Sequence, residues 1–245
     1  MRAQWLVERR KLLKYPNEVQ ENKVGSFIRL STIDRALPKA SILLMGYAIE
    51  MYLKSSLARL LSGCAEDLFI HLSRNKFGHR YTKLAKFIDF PLATTDEKLL
   101  KDLERAVLSD ARYPIQVKDG EDYIENLNKV RRSVTDRSTY RSYCKLAKRL
   151  FLHSRRIGGT PESMVIRESF TIDSDGYFSM RAGGEVSTRI TYKLSSEMKQ
   201  HGDPIALLRD NLDGISPISA SLWNEATFWE HGLEDGKITF KKLNK

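Results

Sequence analysis

Residues 74–81 read RNKFGHRY and bring Arg74, Asn75, Gly78, His79 and Tyr81 close together in the chain. A histidine that titrates near neutrality can pass protons to and from a ribose hydroxyl or a leaving oxygen. An arginine can steady the charge on a phosphate under attack. Such a pair needs no metal if the 2′-hydroxyl is the nucleophile, and the sequence has no convincing cluster of metal ligands. The same residues suit an ordinary turn, with Gly78 taking a tight conformation and His79 capping the helix that follows. Both readings stand at this point.

Two further stretches carry candidate chemistry. Arg112 and Tyr113 precede Pro114. Proline stops a helix, so these two side chains can be presented at a cleft edge to hold a phosphate and stack on a base. Alternatively the tyrosine is packed and the arginine pairs with Asp110 or Glu50. The second stretch is basic: Lys129, Arg131, Arg132, Arg137, Arg141, Lys145, Lys148, Arg149, Arg155 and Arg156, with Tyr140 and Tyr143 interleaved. Arg137, Arg141, Lys145 and Lys148 recur at helical steps and form a face able to track phosphates, or else a merely solvated one.

The elements that must position these residues fall into two parts. Apolar residues from Leu43 through Leu61 recur at three- and four-residue steps, which predicts a central helix with Pro38 in its first turn and Gly63 at its end. AEDLFIHLSRN, YTKLAKFIDF and LLKDLERAVLSDARY are further helical patterns, the last with Thr95 as its candidate cap, and residues 121–153 are helical with a division near 133–138. After Gly158 and Gly159 the pattern changes. MVIRESFTI, YFSMRA, VSTRITYKL and KITFKKL are strand-like, with a hairpin signal at 173–176. PIALLRDNLDG, capped by Asp203, and SASLWNEATFWEHG are predicted as helices, with Trp223 and Trp229 in the core. The expected fold is therefore α+β overall, an all-α helical bundle over 1–156 followed by a small α+β domain with an antiparallel sheet over 160–245.

Charge follows that division. The formal net charge of +10 arises from 31 Lys and Arg against 18 Asp and Glu in residues 1–156, and 10 against 13 in residues 157–245. A basic part joined to a mildly acidic one points to a polyanionic partner, most simply nucleic acid. The run ILLMGYAIEMYL is broken by Glu50 and followed by Lys54, too short to span a bilayer, and charges at 8–11 interrupt any leader-like stretch, so a cytoplasmic protein without a membrane partner is expected. Cys64 and Cys144 are the two cysteines, expected to be reduced and partly buried. His153, His201 and His231 are scattered singly and read as surface or helix-end residues.

The run GYAIEMYLKSSL, then GHRYTKLAKF, then ARYP, resembles the HEPN domain (higher eukaryotes and prokaryotes nucleotide-binding) over roughly residues 35–150. Many HEPN proteins are metal-independent endoribonucleases built on an arginine, a polar residue, and a histidine four to six residues on. The resemblance implies His79 as proton-transfer residue, Arg74 as phosphate stabiliser, Asn75 as orienting group and Tyr81 as substrate contact. It also implies RNA as partner, a homodimer, no cofactor, and a setting in toxin–antitoxin or phage-defence biology with an antitoxin or other protein partner. Position complicates this: the motif lies between the second and third helical patterns, where other HEPN members carry a Gly-His turn. A non-catalytic module that binds nucleotide, nucleic acid or protein is the alternative.

Overall fold

The computed structural model describes residues 23–110, 136–200 and 202–243. The chain divides into two compact units, one made of residues 1–51 and 93–148, the other of residues 52–92 and 149–245. The second unit thus combines helical residues 52–92 with all of the strands, whereas the sequence pattern placed the change of unit near Gly158.

Helix α1 (Lys23–Leu60) is longer than the apolar pattern alone marks. Pro38 consequently lies in its interior rather than its first turn, where it lacks the amide hydrogen that would reach the carbonyl of residue 34. The Ser41 hydroxyl donates to Leu37 O at 2.8 Å nearby. Ile42, Ile49 and Glu50 are buried, but Met51 is 55% exposed, so the helix is not apolar on every side.

In the first unit, α4 (Thr94–Arg105) buries Leu100 and Leu103, one turn apart, and continues as a π-helical turn, Ala106–Asp110, that buries Val107. Its N-cap is Ala93 rather than Thr95: the Asp96 carboxylate reaches back to accept from Ala93 N at 2.9 Å. Helix α5 (Arg137–Gly158) starts inside the expected division. Asp136 fixes that start by accepting from Ser138 N at 3.0 Å and Thr139 N at 2.9 Å.

In the second unit, α2 (Glu66–Ile70) runs into a π-helical turn (His71–Lys76), and α3 (Tyr81–Phe87) follows. The strands are β1 (Val165–Ile172), β2 (Gly176–Gly183), β3 (Arg189–Lys193), β4 (Thr227–Glu234) and β5 (Lys237–Leu243), in the spatial order of the chain. The α+β class holds, but the sheet is mixed: β3 and β4 pair in parallel, because helices α6 (Pro204–Ile215) and α7 (Pro217–Leu222) carry the chain back to the same end. SASLWNEATFWEHG is accordingly not one helix. Its first residues finish α7, and from Thr227 it is a strand, since aromatic and β-branched residues favour an extended, half-buried chain once the helix has ended.

At the β1–β2 hairpin the positive φ falls on Asp173, at 50°, rather than on Gly176. Gly176 serves close approach instead: a Cβ there would meet Ser195 N at 2.8 Å and two carbonyl oxygens at 2.9 Å. Asp203 caps α6, accepting from Ala206 N at 3.0 Å, with Pro204 in the first turn.

Strand alternation gives the sheet two unlike faces. One carries Ile172, Phe178, Met180, Ile190, Tyr192 and Phe228, which pack with Leu208, Leu212 and Trp223 into an apolar core. The other carries Arg167, Tyr177, Ser179, Arg181, Arg189, Thr191 and Trp229, and is covered by the residues after α1, by α3 and by the end of α5. Contacts across this layer include Ser179 Oγ to Ser62 O at 2.9 Å and Arg189 Nη2 to Phe87 O at 3.0 Å. Among the described residues no helix is long and apolar enough to cross a membrane.

Candidate functional site

RNKFGHRY joins the end of the π-helical turn to α3. Phe77 N donates to Leu72 O at 2.9 Å, Arg80 N to Phe77 O at 2.7 Å and Tyr81 N to His79 O at 3.0 Å, so the segment is tightly wound. Gly78 has φ of 52°, and a Cβ there would lie 3.2 Å from Arg74 O. A glycine is therefore suited on both conformational and spatial grounds. Arg74 and Asn75 are exposed and His79 is half-buried. Tyr81 is 0% exposed, so it serves the core of α3 and offers no surface to a substrate in this form. The four residues are thus brought onto one turn, but only Arg74, Asn75 and His79 reach solvent.

The basic face is clearer. Arg137, Arg141, Lys145 and Lys148 on α5 are all exposed. At 100° per residue they fall within about 80° of arc, along about 16 Å of axis. Tyr143, Leu146, Leu150, His153 and Ile157 fill the opposite arc and are buried. No acidic residue occurs within α5, so the stripe has no carboxylate on its own helix. Arg149 departs from the stripe: it donates to Pro91 O at 2.8 Å and lies over the Phe90 ring at 5.2 Å. Arg112, Tyr113, Arg131 and Arg132 lie outside the described residues, as does His201.

A third cluster, on the polar face of the sheet, was not marked by the sequence. Cys64 lies in the turn after α1, and burial raises its thiol; the side chains of Ser179, Thr191 and Tyr177 and the charge of Arg189 pull it the other way. Burial prevails, which leaves a protonated thiol rather than a ready nucleophile. The Tyr177 hydroxyl shares a 3.0 Å hydrogen bond with His231 Nδ1. Burial raises Tyr177 and lowers His231, so both remain neutral near pH 7. His153 is likewise buried and lowered, its Nε2 2.8 Å from Ile88 O. Neither is the surface histidine that its isolated position in the sequence suggested. Cys144 is exposed rather than partly buried.

Arginines dominate the rest of this face. Arg167 Nη2 donates to Ile157 O at 2.8 Å and Gly158 O at 3.1 Å, and Arg181 Nε and Nη2 both donate to Ile157 O at 3.3 Å. These are carbonyls of the last turn of α5, where the helix dipole favours positive charge. Arg189 does the same for α3 through Phe87 O, and its guanidinium lies 4.5 Å from the Phe87 ring centroid and 4.6 Å from that of Trp229. Burial pulls Arg181 and Arg189 down to about 10, which still leaves both cationic at neutral pH. Yet among the described residues Nη1 of each, and Nε1 of Trp229, find no hydrogen-bond partner. A buried donor left unpaired typically costs about 1–3 kcal/mol.

Among the described residues no group of three or more His, Cys, Asp or Glu side chains is placed to hold a metal ion. No family model matches the chain, and neither the curated proteins nor the solved structures contain a significant match to it.

Proposed function

We propose that the protein binds RNA through the basic stripe of α5, as a HEPN-like module. The observation that carries this reading is the exposure of Arg137, Arg141, Lys145 and Lys148 on one arc of a helix that has no acidic residue. Four cations along one line neutralise successive phosphates, a sequence-independent attraction that releases counterions. The net charge of +10 adds long-range steering toward a polyanion. Arg131 and Arg132 extend the proposed surface in sequence, and Arg112 with Tyr113 supply an arginine and a stacking ring.

The test is fluorescence anisotropy with labelled single-stranded RNA over a salt series. Four phosphate contacts at about 0.7 each give a slope of log K against log salt of about −3. Arg141→Glu with Lys145→Glu should flatten that slope by at least about 1.4 and weaken binding at every RNA sequence tried. An unchanged slope would remove the stripe from the interface.

Cleavage at RNKFGHRY is a second reading, favoured by the presence of exposed Arg74 and Asn75 and half-buried His79 on one turn. In that reading His79 moves the proton, Arg74 steadies the phosphate and Asn75 orients the substrate, with no metal. The HEPN likeness further predicts a homodimer, a protein partner such as an antitoxin, and a role in toxin–antitoxin or phage-defence biology. Sedimentation of the purified chain tests the first of these.

A further inference from the structure

The polar face of the sheet holds donors that find no acceptor among the described residues. Arg181 on β2 and Arg189 on β3 are directly paired across the two strands. They are 2% and 3% exposed, and among the described residues each keeps an Nη1 with no partner. Like charges opposite one another on a sheet repel, and a buried guanidinium without an acceptor is costly. Trp229, on β4 next to β3, adds an unpartnered Nε1 on the same face. The Phe87 and Trp229 rings crowd the Arg189 guanidinium from one side, their centroids 4.5 and 4.6 Å from Cζ and 5.0 Å from each other, and Nη2 is spent on Phe87 O. Its Nη1 remains to be satisfied, and the plane of the guanidinium is the direction in which it grips an oxyanion.

Among the described residues, the carboxylate that acts on both arginines is Asp89, which is exposed and holds a φ of 54°. One solvated carboxylate does not satisfy three buried donors on three adjacent strands. A carboxylate ligand offers two oxygens, whereas a tetrahedral phosphoryl group offers at least three. We propose that Arg181, Arg189 and Trp229 form a binding site for a phosphoryl oxyanion, supplied either as free phosphate or as the terminal phosphomonoester of a nucleotide or nucleic acid. This site is separate from the α5 stripe and does not rest on it.

Calorimetric titration of the full chain with inorganic phosphate, against sodium chloride of equal ionic strength, tests the proposal. Saturable binding is expected, weakened at least tenfold in Arg189→Lys, which keeps the charge but loses the planar fork. Asp89→Asn, which suits the positive φ and removes the competing carboxylate, should tighten binding at least twofold. A parallel titration compares a short oligonucleotide bearing a 5′-phosphate with the same strand ending in a 5′-hydroxyl. Tighter binding of the phosphorylated strand identifies a nucleic-acid end as the source; equal binding of the two, beside saturable phosphate binding, identifies the free anion. If Arg189→Lys fails to fold by circular dichroism, wild type and Asp89→Asn decide. Absence of saturable phosphate binding with no preference for the 5′-phosphate, or an affinity unmoved by Asp89→Asn, overturns the site.

Discussion

The Tyr177 hydroxyl and His231 Nδ1 meet at 3.0 Å although their strands, β2 and β4, are not neighbours and β3 lies between them. Both side chains are buried, so the bond satisfies the imidazole nitrogen away from water, while the Tyr177 hydroxyl also meets Cys64 and the Ala65 backbone. Tyr177→Phe removes one partner and leaves the imidazole nitrogen unpaired. We expect a loss of about 1–3 kcal/mol in urea denaturation. A change under about 0.5 kcal/mol would show that the bond contributes nothing net.

Acid should destabilise the protein before its carboxylates titrate. Burial, the largest cause, holds His153 and His231 below the ordinary histidine value of 6.5. Asp89, Arg156 and Arg181 act on the first, and Asp67, Lys193 and His71 on the second. The unfolded chain therefore binds more protons than the folded one once pH drops toward 6.5. The stability is fully present above that value and is lost as pH falls through it toward the folded values, with a slope of up to about 1.4 kcal/mol per pH unit for each histidine. His153→Gln keeps an amide able to reach Ile88 O but does not titrate. Between pH 7 and 5 it should remove about half of the dependence measured by chemical denaturation, and an unaltered slope would exclude His153 as a source.

Two glycines with positive φ separate backbone strain from crowding. Gly63, at 86°, has Ser169 Cβ at 2.6 Å from the position of an added Cβ, whereas Gly236, at 70°, has nothing within 4 Å. Gly236→Ala carries the conformational cost alone, about 1 kcal/mol. Gly63→Ala must also displace β1 from the turn after α1, and we expect a loss larger by at least about 1 kcal/mol. Equal melting temperatures for the two variants would contradict this.

The RNKFGHRY turn predicts a separation of effects. Any metal-independent cleavage of RNA by the wild-type chain should vanish in His79→Ala and Arg74→Ala, because the turn has no second histidine to move the proton and its other cations, Lys76 and Arg80, are engaged with Phe240 O and Lys76 O. RNA affinity should change less than about threefold, since the α5 stripe is intact. Gel analysis of labelled RNA in chelator checks the first and anisotropy the second. Cleavage that survives both substitutions would leave the turn as architecture, set by Gly78.

Local signals were legible in the sequence where local forces dominate. KITFKKL coincides with β5, Val165–Ile172 with all but the first residue of MVIRESFTI, and the Asp203-Pro204 start of α6 with its cap. Trp229 was misread because aromatic residues at short spacing suit a helix face and a strand equally, and only the parallel pairing of Thr191 with Trp229 decides between them. The polar sheet face was illegible for another reason. Cys64 and Phe87 come to Tyr177, Arg189 and His231 from residues 52–92, and no spacing rule spans that separation. An alternation of Tyr177, Ser179 and Arg181 along β2 was the available signal, but on a strand it reads as solvent-facing until a helix is laid over it.

The parallel pairing of β3 with β4 has a bearing on how the chain is made. The antiparallel meander β1–β2–β3 is complete by Lys193, yet α6 and α7, which cover its apolar face, and β4, which seals its edge, come later. During synthesis, Phe178, Met180, Ile190 and Tyr192 therefore emerge from the ribosome with nothing to rest against until residues 204–234 follow. Such an interval of uncovered apolar surface invites chaperone capture. A ribosome stalled with Lys193 outside its exit tunnel and Thr227 still within would hold a sticky, half-built sheet, and translation slowed at that stage should most reduce the yield of folded protein.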